Sequence, residues 1–207
     1  MVDLFKNMSI EAKLVDSFDK EELEYSFMQC LQPPTNEFTS TLLRKTWYTR
    51  VTAGEISLFV KSFWVYYQLL LNNQHNAMVL EDDVEFGKNV TEQTVTEALS
   101  YIPPNYSVFQ LGCCLFNRDE IDKSTEGLTG RRGIQVSLGK NTYCTAAYVI
   151  SRQGAILLFK SLPISHPIDW QMVSALRAPD YSVYGLTSPL FLPNIEVNDI
   201  SHTGIRG

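Results

Sequence analysis

The chain has 207 residues, 44% hydrophobic and 19% charged, enough apolar material to bury the core of a single globular domain. A formal charge of −6 and an isoelectric point near 5.1 exclude nucleic acid as the main partner, because gripping a phosphate backbone requires a basic face. Cys30, Cys113, Cys114 and Cys144 show no C-x-x-C spacing, which argues against a zinc knuckle and makes the vicinal pair a set of small core residues.

Taken in order, the stretch Ile10–Phe18 can form a strand, and Lys20–Leu31 predicts a helix through Leu23, Phe27 and Leu31 at four-residue intervals. Pro33-Pro34 then forces a loop. Ser40–Thr52 carries Arg44, Lys45 and Arg50, a basic patch that is either a solvated helix face or a clamp for a diphosphate or an acidic acceptor. Thr52 and Glu55 have the spacing of a capping box, and the helix after them is predicted to bury Ile56, Phe59, Val60, Phe63, Tyr67 and Leu70 before stopping at Asn72-Asn73.

Ala77–Phe86 (AMVLEDDVEF) follows. Its apolar run ends in Glu81, Asp82 and Asp83, which reads as a buried strand delivering acids to the sheet edge. In an extended backbone Glu81 and Asp83 project to one side and Asp82 to the other. Adjacent carboxylates repel unless a positive charge sits among them, and two oxygen donors on one side suit Mg²⁺ or Mn²⁺. An ordinary acidic turn has the same composition.

Beyond it, Thr91–Tyr101 predicts a helix closed by Pro103-Pro104, and Ser107–Gly112 a core strand. Asn117–Gly133 is a long polar loop in which Arg131-Arg132 could meet phosphate. Ile134–Leu138 and Thr145–Ile150 read as strands, and Ser151 caps a helix that buries Ala155, Leu158 and Phe159. Pro167-Ile168-Asp169 sets Asp169 at a helix start, with His166 and Trp170 beside it. Tyr181–Phe191 supplies one more strand, and the chain closes on a tail holding His202 and Arg206. Helices alternating with strands define an α/β domain with a central mixed sheet flanked by helices. No P-loop, G-x-G-x-x-G or G-x-S-x-G occurs.

Gly54-Glu55-Ile56, Leu80–Val84, Gln110-Leu111-Gly112, Ala147–Ala155 and Pro167-Ile168-Asp169 stand in the order found in the glycosyltransferases of family 25, and the chain resembles that family over roughly Val51 to Asp169. The family comprises lipopolysaccharide- and collagen-type sugar transferases, and some large DNA viruses encode enzymes similar to them. The resemblance implies a GT-A-like, Rossmann-like fold and metal-dependent transfer from a nucleoside diphosphate sugar, a UDP-sugar first, to a hydroxyl of a glycan or glycoprotein with inversion. It makes Glu81 and Asp83 ligands of Mn²⁺ or Mg²⁺ with His202 as a third, and Asp169 the base. The donor contacts expected are Arg50 from the basic patch, Glu55, Asp82, and Arg206 from the tail. The family's opening strand has no counterpart before Lys20, which leaves the base of the donor open.

Two other classes stay open: a metal-dependent phosphohydrolase or nucleotidyltransferase, and a catalytically inactive domain that binds a glycan or a partner. With no leader, no apolar run long enough for a membrane and no disulfide-like cysteine framework, the sequence predicts a cytoplasmic protein, in the host cytoplasm if viral. It reads as one domain over 1–207, either complete or cut from a longer polypeptide.

Overall fold

The computed structural model describes residues 12–24, 27, 31, 51–86, 90–112, 136–138, 145–164, 166–175, 181–186 and 189–193. They form four helices, α1 (Ala53–Leu71), α2 (Glu92–Ser100), α3 (Arg152–Lys160) and α4 (Ile168–Ala175). The strands are β1 (Asn76–Leu80), β2 (Val84–Phe86), β3 (Val108–Gln110), β4 (Val136–Leu138), β5 (Ala147–Ser151), β6 (Val183–Leu186) and β7 (Phe191–Pro193).

Five strands make one mixed sheet in the order β1-β5-β3-β6-β4, and β2 pairs with β7 in a small second sheet. β5 runs antiparallel to both β1 and β3, while β3 and β6 are parallel. So β1, β3 and β6 all point one way, and the start of β5 lies at their carboxyl ends. The sheet is covered on both faces. Phe59, Phe63, Tyr66 and Leu69 of α1 and Ala155 and Leu158 of α3 pack with Val108, Tyr148 and Ile150 on one side. Val95 and Ala98 of α2 pack with Phe109, Val149 and Phe191 on the other, together with Val84 of the small sheet. This is the α/β architecture with a central mixed sheet flanked by helices that the sequence predicts, and it is compatible with a Rossmann-like glycosyltransferase fold. Burying each large apolar side chain in these layers contributes about 1.5–3 kcal/mol.

Local sequence sets the helix starts. The Thr52 side chain accepts from Glu55 N and the Glu55 carboxylate accepts from Thr52 N at 2.6 Å, so the capping box forms at the predicted place. Thr91 and Ser151 cap α2 and α3 through their hydroxyls. α1 ends at Asn72, and Asn73 takes the left-handed conformation (φ 52°) that asparagine tolerates better than most side chains.

Several expectations need correction. The strand expected at Ile10–Phe18 does not form over residues 12–18. That segment runs irregularly beside α1 instead, held where Ser57 Oγ donates to Phe18 O at 2.6 Å and Lys61 pairs with Asp19. Lys20–Glu22 form a turn rather than the start of a helix, although Phe27 and Leu31 are helical. α1 buries Tyr66 and Leu69 in place of Tyr67 and Leu70, and Val60 is only half-buried. Tyr67, Trp64 and Phe18 instead border an apolar groove of about 450 Å³. β1 is not a fully buried strand. It lies at the edge of the described sheet, its residues half-buried after an exposed Asn76. Tyr181–Phe191 is not one strand, since β6 belongs to the main sheet and Phe191 opens β7 in the small one. No helix among the described residues is long and apolar enough to cross a membrane.

Candidate active site

The site lies where β1 ends and β5 begins. Leu80 pairs with Ala147, and the next peptide extends the ladder, Glu81 N donating to Ala146 O at 2.9 Å. Thr145, buried at the head of β5, donates its hydroxyl to Glu81 Oε1. Glu81 is therefore gripped by backbone and side chain from one dipeptide. Because Val79 and Tyr148 are register partners, Glu81 extends the face of the sheet that carries α1 and α4.

Asp82 and Asp83 form a turn, so the extended backbone expected through the acidic triplet stops at Glu81. The side chains still divide: Asp82 is exposed while Glu81 and Asp83 are partly buried. Val84 is buried and starts β2, which fixes the far end of the turn in the small sheet.

α4 brings the fourth carboxylate. Ile168 and Met172 are buried against the first core layer, which seats the helix. Asp169 lies in its first turn, at the helix start the sequence predicts, and Asp169 Oδ1 accepts from Trp170 N at 2.8 Å. His166 and Trp170 stack beside it, ring centroids 6.5 Å apart and 15° from parallel.

Electrostatics tie these groups together. Burial pushes the Glu81 carboxyl up to about 7, the hydroxyl of Thr145 opposes that rise, and the charges of Asp83, Asp169 and Asp82 add to it. Burial also raises Asp169, against the backbone N–H groups of Trp170 and Asp169 itself and with a contribution from Glu55. Glu55, Glu81, Asp82, Asp83 and Asp169 thus share one electrostatic neighbourhood although they come from three separate parts of the chain. Glu55 also serves the α1 cap.

Among the described residues no three His, Cys, Asp or Glu side chains converge closely enough to hold a metal ion. The basic patch with Arg44, Lys45 and Arg50, the vicinal Cys113-Cys114, the loop with Arg131-Arg132, and His202 and Arg206 lie outside the described residues. Two participants were missed in the sequence. Thr145 is one. The other is Tyr148, which lies electrostatically within reach of Glu81 and whose hydroxyl is 2.6 Å from that of Tyr66 in the core. The available signal was a polar residue heading an otherwise apolar strand, Thr145-Ala146-Ala147-Tyr148-Val149-Ile150.

In open α/β sheets ligands bind outside the carboxyl ends of the strands, and Glu81 lies at that end of β1. The sequence profile described as Glycosyltransferase family 25 (LPS biosynthesis protein) matches residues 1–172, and the chain belongs to that family. The match begins at residue 1, so the segment before Lys20, where no counterpart of the family's first strand was legible, lies inside it. The chain is also similar to a protein of Rattus norvegicus named "Probable inactive glycosyltransferase 25 family member 3", at 26% identity across 82% of this chain. It spans 29% of that relative's length.

Proposed function

We propose that the chain transfers a sugar from a nucleoside diphosphate sugar to a hydroxyl of a glycan or glycoprotein, with inversion and with the help of a divalent metal. The observation that carries this reading is the electrostatic coupling of Glu81, beyond the carboxyl end of β1, to Asp83 and Asp169 in a family 25 chain.

The donor set fits a hard cation. Mg²⁺-type ions are commonly held by one or two carboxylates plus substrate phosphates and water rather than by a closed protein cage. Glu81 and Asp83 are two partly buried carboxylates separated by one turn residue, and oxygen donors of this kind suit such an ion. Glu81 and Asp83 would hold Mn²⁺ or Mg²⁺, with His202 as the further ligand. When bound, the ion neutralises the charge growing on the departing diphosphate.

Asp169 takes the proton of the acceptor hydroxyl as its oxygen bonds to the anomeric carbon and the carbon–oxygen bond to the diphosphate breaks. Burial makes its carboxylate a stronger proton acceptor than one in water, which suits a base. Trp170 offers an apolar ring face to the acceptor sugar. Arg50 and Arg206, which lie outside the described residues, are assigned to the diphosphate, and Glu55 and Asp82 to the donor side.

A second reading, an inactive domain that binds a glycan or a partner, is favoured by the rat relative's being named probably inactive. Thermal unfolding with UDP-, GDP- and dTDP-sugars, with and without Mn²⁺, separates the two in wild type and Asp83→Ala. Transferase function predicts Mn²⁺-dependent stabilisation by one donor, about 2.7 kcal/mol at a hundred times its dissociation constant, and its loss in the variant. Stabilisation by no donor with any metal would leave the inactive reading.

A further inference from the structure

We infer that Thr145 is a positioning residue for the cation-binding carboxylate Glu81, holding one of its oxygens in place so that the carboxylate is oriented before an ion arrives. The inference rests on the metal-dependent reading above and assigns a residue that neither the sequence pattern nor the family match singles out.

Three observations support it. Thr145 is 7% exposed, and its hydroxyl donates to Glu81 Oε1. A buried hydroxyl requires a partner, so the contact belongs to the fold rather than to a passing rotamer. The adjacent Ala146 O accepts from Glu81 N at 2.9 Å, which fixes the backbone of the residue whose side chain Thr145 holds. Finally, β5 is itself immobilised: Tyr148, three residues on, is buried under α1 with its hydroxyl 2.6 Å from that of Tyr66.

The chemistry favours the same conclusion. A glutamate side chain loses about 1.5–2 kcal/mol of rotamer freedom on being fixed. Here that ordering takes place on folding, not on ion binding. Partners of this kind behind a metal ligand typically govern affinity by about 10–100-fold.

The test is Mn²⁺ binding by the full chain without nucleotide sugar, read from the electron paramagnetic resonance signal of free Mn²⁺. Wild type, Thr145→Val and Thr145→Ser are compared, with folding checked by circular dichroism. Thr145→Val keeps the shape and removes the donor, so it should weaken Mn²⁺ at least about 10-fold, and Thr145→Ser should bind close to wild type. If the valine variant does not fold, Thr145→Ala against Thr145→Ser makes the same comparison. Equal binding by wild type and the valine variant, or equal weakening by serine and valine, overturns the inference and leaves the transferase reading standing. No Mn²⁺ binding by wild type overturns both the inference and the metal dependence beneath it.

Discussion

Burial raises the Glu81 carboxyl to about 7, so between about pH 4.5 and 7 the folded protein keeps a proton that the unfolded chain has released. Stability falls with rising pH wherever the folded state binds more protons. The Glu81 contribution is therefore complete below about pH 4.5 and is lost as pH rises through about 7. Urea unfolding of the metal-free protein across this range should show wild type losing on the order of 3 kcal/mol relative to Glu81→Gln, whose uncharged amide does not titrate. Parallel curves for the two proteins would mean that Glu81 is not buried as described. The acids themselves were legible because they are consecutive. Thr145 was not, because it lies 64 residues from the carboxylate it holds, and no local pattern encodes a contact at that separation.

Among elements, α1 shows where pattern reading works and where it stops. Its start was legible because a capping box is a matter of three-residue spacing. Its buried face was misjudged by about one residue, since the sequence from Ile56 to Leu71 is apolar on most sides and its periodicity does not select between Tyr66 and Tyr67. The sheet and α3 decide the matter, because Tyr66 finds Tyr148 there. Glycines give a sharper test of packing. A Cβ on Gly154 in α3 would lie 2.2 Å from Ser107 O, backbone that cannot give way without moving the strand that follows. Gly154→Ala should therefore destabilise by about 1–3 kcal/mol or more. A Cβ on Gly54 would meet nothing within 4 Å, so Gly54→Ala in α1 should be neutral or stabilise by about 0.5–1 kcal/mol. Urea midpoints of both variants against wild type measure the contrast, and equal effects would contradict the close approach of α3 to β3.

Across the whole molecule, the α/β class was legible from alternating helical and strand patterns, but the strand order was not. Alternation in sequence says which segments are extended; pairing depends on which partners remain when the faces are covered. Hence the strand bearing the acids was expected inside the sheet and lies at its described edge, and the segment 181–191 serves two sheets.

The place of β5 between β1 and β3 has a consequence in time. As the chain leaves the ribosome, β1 and β3 are made first, yet each must wait for residues 147–151 before it has its antiparallel neighbour. Pairings between such distant segments are slow, and the unpaired edges stay open to other chains until they form. A chain stopped at residue 140 should accordingly lack the protected amides of β1 and β3 in hydrogen exchange, whereas one stopped at residue 193 should keep them. The acidic site thus waits on a segment made more than sixty residues after Glu81, and is assembled only when the strand that supports it has emerged.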